Sequence, residues 1–363
     1  MLKIIKKIKD IDYLLFFSII ILLFLSLSIL YSLQFNIDES YIIFKKQVFF
    51  SLLGVLFFFI FSKINYKIYF TYSKLIYIIS ILSLVLVLFL GTEIRGTTGW
   101  IKFGSLGIQP VEFVKIALII YLARYFSENG DSFKLFRYIF ISGMSVFLCI
   151  ILIILQPDLG SALVLLGIWI IMLLFTGIQK KHFIYLSSIF IVSITLSWFF
   201  IFKTYQKNRI VTFLNPTSDP LGSGYNVTQS IIAVGSGKLF GRGLALGSQS
   251  SLKFLPEPGT DFIFSVIAED LGILGVLLVL CLFTFLLYRL FLILKRTNDN
   301  FGAYFILGIL SMLMIQIFIN IGMNMGLSPV TGIPLPLVSA GGSSLLAIMI
   351  SLGIVENINF YSK

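Results

Sequence analysis

The chain has 363 residues, of which 58% are apolar and only 12% are charged, and its mean hydropathy is +1.03. Soluble domains carry about 25% charged residues, so this composition excludes a soluble globular domain and indicates a protein that crosses a membrane several times. The net charge of +11 does not indicate nucleic-acid binding, because no soluble segment carries a basic helix or an aromatic-interleaved basic patch. Cys149 and Cys281 both lie in apolar runs, so neither a disulfide nor a zinc site is expected.

Ten apolar runs are long enough to cross a bilayer as helices, at a rise of about 1.5 Å per residue. The first run follows a basic tail and has no small-residue cleavage site, which favours a first span over a cleaved signal peptide. We therefore predict an all-α polytopic membrane protein, a single transmembrane domain over residues 1–363 with a large extracytoplasmic loop, 203–260, between helices 7 and 8. The runs lie near 14–33, 44–62, 75–90, 110–126, 138–155, 160–176, 183–202, 262–288, 303–323 and 335–355.

The basic residues indicate how these spans are oriented. Lysine and arginine concentrate in the N-terminal tail and in alternate connections, as the positive-inside rule expects of cytoplasmic segments. Both termini are therefore predicted to be cytoplasmic, with the basic segments close to anionic membrane lipids. The outward loop 203–260 is also basic, which this rule does not explain. Its charge suits a phosphate or pyrophosphate ligand, although a merely solvated loop is the alternative.

The first informative external connection runs from Gly91 to Lys115 and reads GTEIRGTTGWIKFGSLGIQPVEFVK. Its glycines exclude a regular helix before Pro110, which suits the first turn of a helix because the missing N–H of proline is not needed there. Glu112 and Lys115 then share a helix face at i,i+3 spacing. They could form an ion pair that neutralises two charges at the membrane edge, or line a polar cavity and orient a substrate group.

Asp158 lies in a short external connection, LQPDLGSAL, between the fifth and sixth predicted spans. Its carboxylate could cap the following helix through backbone N–H groups. The alternative is a functional role, because Asp158 faces the same compartment as Glu112. No metal site is predicted. A divalent cation could join a pyrophosphate to Asp158 or Glu112, but nothing in the spacing requires one.

The loop 203–260 is longer than an ordinary connection, which favours a functional role. It contains a semi-apolar segment, Tyr225 to Val234, that is too short to span a bilayer and is predicted to form a re-entrant or interfacial helix. The next segment, GSGKLFGRG, lacks the GxxxxGK[ST] spacing and a preceding parallel strand. It is therefore not interpreted as a nucleotide-binding loop.

Asp261 introduces the eighth span at the end of this loop, in the stretch FLPEPGTDFIFSVIAEDLG. A carboxylate at the boundary between water and hydrocarbon is costly unless it is used or paired, so Asp261 is the leading functional candidate. We predict a helix that begins at Asp261, with Thr260 as its N-cap. Stabilisation of the helix dipole is the alternative role for Asp261.

The same helix has two further features that follow from its 3.6-residue period. A stripe of small residues would let another helix or a lipid chain approach closely. Asp270 points to the opposite side, and at least one of Glu269 and Asp270 needs a buried partner. The small-residue stripe consists of Ser265, Ala268 and Gly272.

Five stretches, in order between Gly91 and Ser344, together resemble the SEDS (shape, elongation, division and sporulation) family of ten-span membrane proteins. Three segments, QPDLG, DPLGSGY and GIPLPLVS, look more like the elongation branch of that family, RodA, than the division branch, FtsW. Gly259 and Ala340 depart from the pattern, where the family usually has His and Tyr. The five stretches are QPVEFVK, LQPDLGSAL, GYNVTQSIIAVGSGKLFGRG, FLPEPGTDFIFSVIAEDLG and NIGMNMGLSPVTGIPLPLVSAGGSS.

The resemblance implies an inverting peptidoglycan glycosyltransferase that polymerises lipid II into glycan strands at the outer face of the bacterial cytoplasmic membrane, for cell elongation and shape. It also implies a class B penicillin-binding protein as partner, which crosslinks the strands. Inversion in one displacement calls for one general base and a stabilised leaving group. Asp261 is the expected base on the acceptor 4-hydroxyl. The expected substrate-binding groups are Lys115, oriented by Glu112, together with Arg95, Asp158, Lys238 and Arg242.

A transporter that flips the lipid-linked cell-wall precursor is the competing interpretation. It predicts polar residues distributed through the membrane depth. Outside the cytoplasmic edge, the polar and charged residues of this chain cluster on the external side, which favours chemistry at the surface. The intramembrane exceptions are Glu269, Asp270, Gln316, Asn320 and Asn324.

Overall fold

The computed structural model describes residues 12–362 apart from 36–40, 95, 105, 131–135, much of 183–203, 216–218, 220–221 and 253. Its described elements are helices with one small sheet. The helices are α1 Tyr13–Phe35, α2 Ile42–Lys63, α3 Lys67–Leu90, α4 Pro110–Asn129, α5 Phe136–Leu155, α6 Leu159–Leu174, α7 Thr204–Leu214, α8 Ser223–Ser236, α9 Ser248–Ser251, α10 Ile263–Arg296, α11 Asn300–Asn324 and α12 Gly342–Ser362. The strands are β1 Thr92–Ile94, β2 Thr97–Phe103 and β3 Leu106–Ile108.

Seven helices in the described part of the chain are long and apolar enough to cross a membrane: α1, α2, α3, α5, α10, α11 and α12. Helix α6 is apolar but shorter. Helix α4 carries several charges, yet most of its length is buried between its neighbours. The seventh predicted run, 183–202, lies largely outside the described residues. A helical membrane protein is therefore confirmed, and nine of the ten predicted runs overlap a described helix.

The last span begins later than predicted. Helix α12 runs from Gly342 to Ser362, whereas the apolar run suggested 335–355. The preceding segment, 327–341, is largely irregular, because Pro334 and Pro336 each lack the N–H that a helix interior requires. Hydrophobicity alone therefore placed this span several residues too early.

The connection before α4 forms a three-stranded antiparallel sheet in the order β1-β2-β3. Pro110 occupies the first turn of α4 as predicted, but the strands were not predicted. Thr98 on β2 donates its N–H to the carbonyl of Gln156 at 3.3 Å. The sheet thus rests on the α5–α6 turn, which also carries Asp158.

Helix α10 is broken at Gly272, whose φ of 66° and ψ of −161° are not helical. The segment after α8 replaces the lost helical hydrogen bonds. Arg242 and Gly243 donate their N–H groups to the carbonyls of Glu269 and Asp270, at 2.9 and 3.0 Å. Ile273 in turn donates to the carbonyl of Lys238 at 2.9 Å. This pairing lets an irregular backbone lie against a membrane helix without leaving polar groups unsatisfied.

Helix α8 covers the predicted stripe of small residues on α10, so a helix and not a lipid chain occupies that face. Its existence confirms the short helix predicted around Tyr225–Val234. Ser230 on α8 lies 2.6 Å from Ser265, oxygen to oxygen. Gly272 does not extend the stripe, because the helix breaks there.

The glycine at the end of α8 is required by this close approach. A Cβ on Gly237 would lie 1.8 Å from the carbonyl oxygen of Ala268, so Gly237→Ala must push two backbones apart. We expect a loss of about 1–3 kcal/mol or more in the free energy of unfolding, measured by thermal or denaturant unfolding in detergent. Gly235→Ala is the matched control, because its Cβ would meet nothing within 4 Å. Equal stability of the two variants would contradict the packing described.

The prediction that at least one of Glu269 and Asp270 needs a buried partner is confirmed, and both residues have one. The Glu269 carboxylate accepts the N–H groups of Gln249 and Ser250, at 2.8 and 3.1 Å. Asp270 accepts the hydroxyl of Ser32 on α1 at 3.1 Å. Glu269 therefore ties the loop to α10, and Asp270 ties α10 to α1.

Candidate active site

Asp261 lies in a turn immediately before α10 and is half-buried. The helix begins at Ile263 with Phe262 as its N-cap, so the predicted start at Asp261 was two residues early. Thr260 does not cap the helix. Its hydroxyl points back to Glu257, at 3.4 Å from the carbonyl oxygen. Two N–H groups, those of Thr260 and Phe262, bond to that same carbonyl, which closes the turn that presents Asp261.

The backbone leading into Asp261 is held at three consecutive carbonyl groups. The carbonyl of Gly259 accepts the N–H of Ala340 at 2.8 Å, and the carbonyl of Thr260 accepts the hydroxyl of Ser339 at 2.5 Å. The carbonyl of Asp261 accepts two amide groups on α11, at 3.1 and 2.9 Å. Those amides belong to Asn320 and Asn324.

Both asparagines have the rest of their hydrogen bonds committed to this site. The side-chain oxygen of Asn324 accepts the N–H and the hydroxyl of Ser265, at 3.1 and 2.7 Å. The side-chain amide of Asn320 also donates to the carbonyl of Ile333 at 2.8 Å. The main-chain N–H of Ser265 can only donate and the carbonyl of Asp261 can only accept, so these two neighbours fix the orientation of the Asn324 amide.

The segment 331–333 separates Asp261 from the Asp158 turn. A Cβ on Gly332 would lie 3.6 Å from Oδ2 of Asp261, and a Cβ on Gly160 would lie 2.8 Å from the carbonyl oxygen of Thr331. One short segment therefore touches the Asp261 carboxylate on one side and the start of α6 on the other. Asp261 and the turn that carries Asp158 therefore lie on opposite sides of one short backbone segment.

Glu112 and Lys115 form the ion pair that their spacing predicted. Oε1 of Glu112 lies 2.7 Å from Nζ of Lys115, and the two residues are only 4% and 2% exposed. A pair this deeply buried must hold its charges by mutual attraction, because water cannot solvate either group. The ion pair therefore neutralises both charges, as the first of the two predicted roles requires.

Asp158 caps α6, as the sequence allowed. It accepts the N–H and the hydroxyl of Ser161, at 2.9 and 2.7 Å, and the side-chain amide of Gln109 lies 3.4 Å away. Burial raises the pKa of Asp158 above its usual value, although the Ser161 hydrogen bonds and the charge of Lys115 oppose the rise. Asp158 is therefore electrostatically linked to the Glu112–Lys115 pair.

The other basic candidates lie away from Asp261 or outside the described residues. Arg95 lies outside the described residues. Lys238 and Arg242 are exposed beside the helix break at Gly272, and the guanidinium of Arg242 donates to the hydroxyl of Ser248 at 2.7 Å. Their backbones pair with α10 eight to twelve residues beyond Asp261, so the structure does not place them in the hydrogen-bond network around Asp261.

Among the described residues, no group of three or more His, Cys, Asp or Glu side chains could hold a metal ion. Glu112 is engaged by Lys115, and Asp158 is engaged by Ser161. The donor sets considered for a divalent cation are thus already committed to protein partners.

Sequence reasoning missed the residues that hold the backbone at Asp261. Asn320 and Asn324 were noted only as polar exceptions inside a span, and Ser339 was not considered. The i,i+4 spacing of Asn320 and Asn324 on α11 was the available signal, because it places both amides on one helix face. Their target was not visible, since it lies about 60 positions away in the chain.

The two departures from the family pattern are direct neighbours. Ala340 donates its N–H to the carbonyl of Gly259. A Cβ on Gly259 would lie 3.1 Å from Cδ2 of Leu30 on α1. A larger side chain at position 259 would therefore need Leu30 to move.

Comparison with known proteins identifies the family. The family model described as "Cell cycle protein" for FtsW, RodA and SpoVE matches residues 10–363. Stage V sporulation protein E of Bacillus subtilis is 39% identical, covering 97% of this chain and 98% of that protein. Peptidoglycan glycosyltransferase MrdB of Escherichia coli is 37% identical, covering 86% and 84%. A probable peptidoglycan glycosyltransferase FtsW of Trichlorobacter lovleyi is 36% identical, covering 94% and 89%.

Solved structures show the same fold. A chain from a study titled "Structural coordination of polymerization and crosslinking by a peptidoglycan synthase complex" matches with a TM-score of 0.84 and 29% identity, covering 97% of this chain and 98% of that one. The Thermus thermophilus rod shape determining protein RodA matches with a TM-score of 0.70 and 27% identity, covering 96% and 97%. The family prediction is therefore confirmed, while sporulation, elongation and division relatives are too similar in identity to decide the branch. This chain belongs to the FtsW, RodA and SpoVE family.

Proposed function

We propose that this protein is an inverting peptidoglycan glycosyltransferase that polymerises lipid II at the outer face of the bacterial cytoplasmic membrane. The observation that carries the proposal is the position of Asp261, a half-buried residue in a turn whose backbone is fixed at three consecutive carbonyls. Relatives that cover most of this chain are named peptidoglycan glycosyltransferases. Their names support the same reaction here.

Asp261 is proposed as the general base. Its carboxylate would remove the proton of the acceptor 4-hydroxyl as that oxygen attacks the anomeric carbon of the donor, and the bond to the pyrophosphate would break on the opposite side. A positioned carboxylate contributes about 10²–10⁴-fold to such a step. Gly332 lies next to this carboxylate, since a Cβ there would be 3.6 Å from Oδ2 of Asp261.

The departing pyrophosphate needs positive charge, and Lys115 is the proposed source. It lies within electrostatic reach of Asp158, and its partner Glu112 fixes its position. Pyrophosphate would have to compete with Glu112 for the ammonium group. Arg95, Lys238 and Arg242 are proposed as further contacts on the outward surface, and Asp158 as a group that orients the substrate.

The rest of the assembly follows from this role. We propose ten spans with both termini cytoplasmic. A class B penicillin-binding protein is proposed as the partner that crosslinks the product. The elongation branch is preferred on the QPDLG and GIPLPLVS segments, and a shape defect on depletion, without a division defect, would support that choice.

The proposal is tested by supplying fluorescent lipid II to the purified protein in detergent, with and without a class B penicillin-binding protein. Glycan products are then separated on a gel. A ladder of polymers that lysozyme digests is the expected result. Unconverted lipid II under both conditions, from protein that is folded and monodisperse, would overturn the proposal.

A further inference from the structure

Helix α11 carries a stripe of buried amide side chains, formed by Gln316, Asn320 and Asn324. Buried asparagines inside a membrane span are costly unless every polar atom has a partner, and Asn320 and Asn324 are both fully buried. Both direct their amides at one carbonyl, that of Asp261. This convergence on the residue that carries the proposed chemistry is the observation to be explained.

We infer that Asn320 and Asn324 are positioning residues for Asp261, an inference that rests on the proposed function. They do not touch the carboxylate. Instead they hold the main chain from which it projects, so that the carboxylate faces the space beside Gly332. Because the carbonyl of Asp261 accepts both amides, neither lone pair is left for a helical bond. The turn before α10 is therefore maintained by α11.

Further hydrogen bonds connect these two asparagines to helix α8 and to the segment 331–333. The hydroxyl of Ser230 on α8 donates to the main-chain carbonyl of Asn324 at 2.8 Å, and Ser265 bonds to the side chain of Asn324. Asn324 is thus the point at which α8, α10 and α11 meet. Asn320 joins that point to the segment 331–333 through the carbonyl of Ile333.

Gln316 supplies a matched control from the same helix. It lies one turn before Asn320 and is also fully buried, but its side-chain amide has no hydrogen-bond partner among the described residues. Truncating Gln316 therefore removes a buried polar side chain from the same stripe without removing a bond to Asp261.

The test compares Asn320→Ala, Asn324→Ala and Gln316→Ala in the lipid II polymerisation assay. A displacement of about 1 Å at a reacting group costs on the order of 10²-fold. We expect kcat to fall about 10- to 100-fold in each asparagine variant, with KM for lipid II nearly unchanged. Gln316→Ala should retain kcat within about 3-fold, an estimate that follows from the absence of any positioning bond.

A double-substitution cycle separates positioning from general stability. If the asparagines act through Asp261, Asn324→Ala should cause little further loss in an Asp261→Glu background, whose carboxylate is already displaced. Losses that multiply in the double variant, or a rise in KM alone, would overturn the inference. If Asn324→Ala does not fold, Asn320→Ala and Ser339→Ala each remove a single contact to the same turn and decide the matter. Unconverted lipid II with the wild-type protein would instead defeat the proposed function, and full activity of Asp261→Asn would defeat the assignment of the base, so these failures are distinguishable.

Discussion

Replacing Asp261 with asparagine is expected to lower the rate of lipid II polymerisation by about 10²–10⁴-fold, the usual contribution of a general base. The amide is nearly the same size as the carboxylate but cannot accept the proton. The turn should survive, because the hydrogen bonds to the main-chain carbonyls of residues 259–261 are unchanged by this substitution. The measurement is the initial rate of glycan formation alongside the thermal unfolding midpoint.

Glu93→Gln is the control for that experiment. Glu93 lies on β1 and is exposed, so this substitution removes a surface carboxylate without changing the turn before α10. Its rate should stay close to that of the wild type. A wild-type rate in Asp261→Asn would contradict the assignment of Asp261 as the general base. An equal loss of rate in Glu93→Gln would mean that negative charge at the surface, and not a general base, limits the reaction.

The second large effect concerns the buried ion pair. Lys115→Met leaves the Glu112 carboxylate buried without its counter-charge, and breaking a buried pair in this way costs about 3–5 kcal/mol. We expect a corresponding loss in the free energy of unfolding. Glu112→Gln should also destabilise the protein, because the ammonium group of Lys115 is only 2% exposed.

The double variant, Glu112→Gln with Lys115→Met, distinguishes the two roles considered for the pair. It removes both charges, so stability should recover to above that of either single variant. We expect polymerisation to remain low, because the proposed site for the pyrophosphate has lost its ammonium group. Recovery of both stability and activity would assign the pair a purely structural role.

Local features of the sequence predicted much of the fold and part of the site. Spacing alone gave the Glu112–Lys115 pair, since i,i+3 residues meet on any helix. Asp158 was foreseen as a cap, because an aspartate before an apolar run commonly bonds the first N–H groups. The short helix around Tyr225–Val234 was also identified, because its apolar length is insufficient for a span.

The features that were missed depend on distant parts of the chain. In the sequence, Gly272 is one more small residue on a helix face. The helix can break there because the segment after α8 supplies hydrogen-bond partners for the main-chain groups that the break leaves unpaired. The start of α10 moved to Ile263 for a similar reason. The carbonyl of Asp261 is engaged by Asn320 and Asn324, and no property of the sequence around Asp261 reveals that engagement.

Proteoliposomes with lipid II confined to the leaflet that faces the loop 203–260 provide the most direct test of the central claim. The readout follows both glycan polymer and the transfer of lipid II to the opposite leaflet. We predict polymer from the wild-type protein, almost none from Asp261→Asn, and no transfer dependent on the protein. Transfer of lipid II across the bilayer without polymer would contradict the claim and identify a transporter.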